Sequence, residues 1–130
     1  MFWNKVMTPL LINSTIATPQ VTLNKDSGIF RIEGISRPEN VLAFYDPIFI
    51  WFDEYLKTPN KETVIEFVLS YHNSSSAKII CKLLNKLEPH YKKGTDIQIK
   101  WYYKETDEDI LEAGEDYKSL VEIPFEIIKL

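Results

Sequence analysis

Thr63-Val64-Ile65-Glu66-Phe67-Val68-Leu69-Ser70-Tyr71 is rich in β-branched and aromatic residues with little polar alternation, which predicts a central strand covered on both faces. His72-Asn73-Ser74-Ser75-Ser76 follows directly. Beyond it, Ala77, Ile80, Cys81, Leu84 and Leu87 recur at helical spacing, predicting a helix over about 75–91 that Pro89 could end a turn early. A strand that passes through a short hydroxyl-rich loop into a helix is the repeating unit of an α/β sheet, and the flanking sequence supplies the other units.

On the amino-terminal side, Val21 and Leu23 alternate with Gln20 and Thr22, and Phe30 and Ile32 alternate with Ile29, Arg31, Glu33 and Ile35. Asn24-Lys25-Asp26-Ser27-Gly28 between them has tight-turn composition, so this is an opening hairpin. Ser36-Arg37-Pro38-Glu39-Asn40 then places a capping residue, a proline and an acid at a helix start. The helix runs to about Leu56, with Val41, Phe44, Tyr45, Ile48, Trp51, Phe52 and Tyr55 as a core stripe. Pro47 either bends it or delays its start.

On the carboxyl-terminal side, Lys93-Gly94-Thr95 stops the second helix, and Ile97, Ile99 and Trp101 mark one face of a strand over 96–103. Thr106-Asp107-Glu108-Asp109 caps an acidic helix to about Leu120, and a last strand over 121–128 carries Pro124 at an edge or bulge. The order β-β-α-β-α-β-α-β predicts an α/β fold with a mixed five-stranded sheet and helices packed on it.

Composition bounds the function. The chain has 130 residues, suited to a single domain over 1–130. Its 15 basic and 19 acidic side chains, net charge -4, form no positive stripe, so nucleic acid is not an expected partner. No apolar run is long enough to cross a bilayer, and Met1-Phe2-Trp3-Asn4-Lys5-Val6 reaches Pro9 before a signal sequence can develop. A cytoplasmic location is expected, with no membrane partner. The lone Cys81 forms no internal disulfide and sits on a core stripe.

No phosphate-binding glycine loop, H-E-x-x-H helix, cysteine pair or G-x-S-x-G elbow occurs, and two histidines with one cysteine make a protein zinc site improbable, so no cofactor or metal is expected. His72 stands beside Ser74 as a conceivable base, yet no acid is evident to orient its imidazole. Asp107, Glu108, Asp109, Glu112, Glu115 and Asp116 form a solvated acidic face or a docking surface. The serine cluster is the informative feature. One side chain, Ser74 or Ser75, suffices to cap a helix, so the cluster reads either as capping alone or as a place for covalent phosphorylation, which the amides and dipole of a helix start tolerate.

Ser36-Arg37-Pro38-Glu39-Asn40, Phe44-Tyr45-Asp46-Pro47-Ile48, Tyr71-His72-Asn73-Ser74-Ser75-Ser76, Trp101-Tyr102-Tyr103 with Asp107-Glu108-Asp109, and Gly114-Glu115-Asp116-Tyr117 together resemble the SiaC family of bacterial regulatory phosphoproteins. The resemblance spans nearly the whole chain and implies a STAS-like fold and no enzymatic activity. It places the phosphoacceptor at the hydroxyl after Asn73, which is Ser74, where the best-known member has threonine; that difference leaves Ser75 and Ser76 open as acceptors. Asn73 and Ser75 would shape the loop. It further implies partner switching in the control of biofilm or aggregation: a histidine-kinase-like protein kinase modifies the loop, a PP2C-type phosphatase resets it, and the unmodified form activates a diguanylate cyclase or another output protein. The alternative from the residues alone is a small-anion or nucleotide-binding module that uses the same helix start.

Overall fold

In the computed structural model the described residues are 6–130, so the amino-terminal reading of Met1 to Lys5 lies outside them. Among the described residues nine elements follow one another: β1 (Leu10–Ile12), β2 (Gln20–Asn24), β3 (Ile29–Ser36), α1 (Val41–Tyr55), β4 (Thr63–His72), α2 (Ser74–Lys92), β5 (Ile97–Tyr103), α3 (Glu108–Leu120) and β6 (Phe125–Lys129). The strands form one six-stranded sheet in the order β1-β2-β3-β4-β5-β6. The expected count of five is therefore too low. The missed strand is β1, which pairs antiparallel with β2 through Leu10 opposite Leu23 and Ile12 opposite Val21. Three residues are too few to display a period of two, so alternation cannot announce it.

The hairpin β2-β3 is antiparallel, and β3, β4, β5 and β6 run parallel. Because each crossover advances one strand in the same direction and such connections are right-handed, all three helices fall on one side of the sheet. That side is the core: Leu23, Phe30, Ile32, Ile65, Phe67, Ile99 and Trp101 are buried in register beneath the helices. The opposite side is open. Thr22, Arg31, Glu66, Lys100 and Glu126 form a row across it, with Arg31 Nη2 2.9 Å from Glu66 Oε1 and the Tyr102 hydroxyl donating to Glu66 Oε2 at 2.7 Å. Burial alone would raise the Glu66 carboxyl, but the bonds from Tyr102 and Arg31 and the charges of Arg31 and Lys100 outweigh it and hold it low. Thus β4 is central but covered on one face only. Its continuous apolar run misleads because Val64 and Val68 are partly exposed on the open side.

Helix α1 begins at Val41, with Asn40 as its cap accepting from the Ala43 amide at 3.1 Å; Ser36 instead ends β3 inside the core. Pro47 lies within α1 and Pro89 within α2, and neither ends its helix. The α1 stripe is core, as its spacing indicates: Phe30 packs on Trp51, Phe52 and Tyr55, and Trp51 stacks on Tyr55 at 5.1 Å. Asp107 caps α3 through the Ile110 amide at 3.0 Å, with Glu108 and Asp109 in the first turn as expected.

Candidate functional site

The serine loop lies where β4 ends and α2 begins, beside the end of β3. A register shift between Gly34 and Ile35 shapes it: Gly34 faces Leu69 while Ile35 faces Tyr71, so Ser70 is the extra residue of a bulge on β4. The extra residue reverses the alternation. Tyr71 turns outward at 50% exposure and His72 turns to the core side, level with Ser36. Gly34 has φ of +114°, a backbone region that side chains other than hydrogen disfavour.

The loop is stitched to β3 by backbone. The Asn73 amide donates to the Ser36 carbonyl at 3.0 Å, and Asn73 Oδ1 accepts from the Ser76 amide at 2.9 Å as the cap of α2. Asn73 therefore shapes the loop, and none of the serines is needed as the cap. The serines have different fates. Ser76 is fully buried: its hydroxyl donates to the Ser36 carbonyl at 3.0 Å and accepts from the Ser36 hydroxyl at 2.8 Å. Tyr45 completes the chain at 2.7 Å from Ser36 Oγ, and since the Ser36 proton is already committed, Tyr45 is the donor. Burial, only partly offset by the Ser36 bond, raises the Tyr45 phenol and keeps that proton in place. Ser74 and Ser75, the first two residues of α2, are exposed. Two hydroxyls are thus open to an enzyme, and the third holds the fold.

His72 does not serve the serines. Its Nε2 lies 2.8 Å from the Tyr117 hydroxyl of α3, and its ring meets those of Trp101 and Tyr117 edge-on. Burial lowers the imidazole below its ordinary range, against a smaller opposing pull from Asp107, and burial raises the Tyr117 phenol. A neutral histidine bonded to a protonated tyrosine is a packing pair, and the base required for hydrolysis is not assembled.

A cavity of about 240 Å³ adjoins His72, lined by Ser70, Tyr71, Asp107, Asp109 and Ile110. Two carboxylates in its wall have the wrong sign for a nucleotide's phosphates, which counts against an anion-binding module there. Among the described residues, no group of three His, Cys, Asp or Glu is placed to hold a metal ion, and no helix is long and apolar enough to cross a membrane. Cys81 is partly buried on α2, and burial raises its thiol.

Sequence reasoning missed Ser36, Tyr45 and Tyr117 as members of this site. All three stand inside the motif segments quoted above, but their partners are far away along the chain.

Comparison with known proteins agrees with this architecture. The family model described as SiaC family regulatory phosphoprotein matches residues 12–130. An uncharacterized Pseudomonas aeruginosa protein is 26% identical over 121 residues, covering 93% of this chain and 96% of its own length. The solved structure of SiaC of Pseudomonas aeruginosa superposes with a TM-score of 0.88 at 25% identity, covering 95% of this chain and 100% of that one. In the crystal structure of diguanylate cyclase SiaD in complex with its activator SiaC, from the same organism, a chain superposes with a TM-score of 0.88 at 26% identity, covering 93% and 99%.

Proposed function

Because the chain belongs to the SiaC family of regulatory phosphoproteins, we propose that it is a phosphorylatable adaptor whose unmodified form binds and activates a diguanylate cyclase. Phosphorylation at Ser74, with Ser75 as the alternative acceptor, blocks that binding. A histidine-kinase-like protein kinase adds the phosphate, a PP2C-type phosphatase removes it, and the adaptor itself performs no catalysis in the cytoplasm. The STAS-like kinship implied by the family motifs is supported by one mixed sheet with its helices on a single side. The Pseudomonas complex of SiaD with its activator SiaC supports the choice of output.

The observation that carries the proposal is the division of labour at the start of α2. Asn73 and Ser76 hold the loop, so Ser74 and Ser75 are free to change charge. A phosphate there meets the positive end of α2 and gains about 0.3–1 kcal/mol within the molecule. Buried without a partner in an interface, the same dianion costs several kcal/mol. The intermolecular effect wins, and the modification switches partners rather than folds.

The test is phosphosite mass spectrometry after incubation with the cognate kinase and ATP, followed by the phosphatase. Phosphate on Ser74 or Ser75 that the phosphatase removes is expected; modification confined elsewhere rejects the proposal.

A further inference from the structure

With α1, α2 and α3 on one side of the sheet, no described element covers the other. A charged row crosses the middle of that open face: Arg31 of β3, Glu66 of β4, Lys100 of β5 and Glu126 of β6, alternately positive and negative. The rows that flank it are largely apolar. Ile29, which is exposed, and Val64, partly exposed, lie toward the amino-terminal end of β4; Val68, Tyr102 and Ile128, all partly exposed, lie toward its carboxyl end, with Glu33 at their β3 side. Cross-strand attraction within one chain accounts for the Arg31–Glu66 pair. It leaves Lys100 and Glu126 without an ion pair among the described residues, although they are register neighbours.

We propose that this face is where two copies of the chain associate, sheet against sheet, about a two-fold axis that runs parallel to the strands between β4 and β5. Such an axis reverses the strand order, so β3 lies over β6 and β4 over β5. Arg31 then meets the partner's Glu126, and Glu66 meets the partner's Lys100; symmetry repeats both contacts, and every member of the row faces its opposite sign. Val68 packs over the partner's Tyr102, while Glu33 stays at the solvated rim. The strands of the two sheets run nearly parallel, as in aligned sheet packing. Four strands about 4.8 Å apart over about five residues give roughly 300–400 Å² of flat contact per copy, against roughly 800 Å² in a standard stable interface, so the dimer is weak and salt-sensitive. Rotation about this axis keeps the carboxyl ends of β4 together, so both serine loops stand open at the same end of the pair.

Sedimentation equilibrium of the full chain, from micromolar to near-millimolar concentration, tests this. The parent should show a reversible monomer–dimer equilibrium that added salt weakens. Two charge swaps locate the contact: Lys100→Glu with Glu126→Lys in one variant, Arg31→Glu with Glu66→Arg in the other. Each keeps the net charge, but alone sets like charges opposite each other across the axis. Each should raise the dimer Kd at least about tenfold with an unchanged circular dichroism spectrum, and an equal mixture of the two, in which opposite signs meet again, should associate within about threefold of the parent. If the second variant does not fold, the first carries the test by its own Kd. A parent that stays monomeric throughout, a swap that leaves the dimer Kd within about twofold, or a mixture of folded variants that binds no better than either alone overturns the proposal.

Discussion

Replacing Ser76 with alanine tests the separation of the serines most sharply. The side chain is wholly buried and makes two hydrogen bonds to Ser36, accepting from its hydroxyl at 2.8 Å and donating to its carbonyl at 3.0 Å. Ser76→Ala leaves the Ser36 proton without an acceptor, since Tyr45 already donates to that oxygen. An orphaned buried polar group costs about 1–3 kcal/mol. With an unfolding entropy of about 2.1 cal/mol/K per residue, a chain of 130 residues loses about 4–11 °C in Tm. Ser74→Ala and Ser75→Ala alter exposed positions and should stay within about 0.5 kcal/mol of the parent. Urea and thermal unfolding, read at constant m-value, give all three numbers. The double variant Ser36→Ala with Ser76→Ala should cost less than the sum of its parts, because both remove the same chain. A Ser76→Ala shift below about 2 °C, or a Ser75→Ala shift of equal size, would refute the assignment.

Three further outcomes follow from the site. Asn73→Ala should lose about 1 kcal/mol by removing the cap on the Ser76 amide while Asn73→Asp retains it, and chemical denaturation showing both variants alike would contradict the cap. At Gly114 an added Cβ would fall 2.7 Å from the Trp101 indole nitrogen, which is itself bonded to the Ile110 carbonyl at 2.8 Å, so the ring has no room to yield. Gly114→Ala should therefore destabilise, since an overpacking cost of about 1–3 kcal/mol opposes a helix-propensity gain of only about 1 kcal/mol; a higher Tm for the variant would contradict this. For His72, burial sets the folded-state value below the ordinary 6.5, so the unfolded chain binds more protons in that range. Stability should fall as pH drops through about 6.5 until the folded value is passed, and His72→Phe should flatten that slope; identical slopes in both proteins would dispose of the buried neutral imidazole.

The long elements were legible because burial on one side stamps a period on them: Val21 with Leu23, Phe30 with Ile32 and Ile97 with Ile99 fell on the core face as their alternation indicates. Strand β1 was not, since three residues carry no period. The direction of His72 was also hidden. Parity along β4 puts it with Val64, Glu66 and Val68 on the open face, and only the bulge at Ser70, a tertiary event against Gly34, turns it inward. The serine loop was visible as composition, but the separate role of Ser76 depends on Ser36, forty residues earlier, and on Tyr45 beyond it. Ser36 itself looked like a helix cap because serine, proline and acid so often mark one, whereas Asn40 had the better position.

The central claim is that charge at the mouth of α2 decides which partner is held. Its most direct measurement is the Kd for the host's diguanylate cyclase, taken by calorimetry on one preparation before and after stoichiometric phosphorylation by the cognate kinase. An unpaired dianion in the contact predicts at least about a hundredfold weakening, restored by the phosphatase, with an unchanged circular dichroism spectrum. Equal affinities for the two forms would contradict the account.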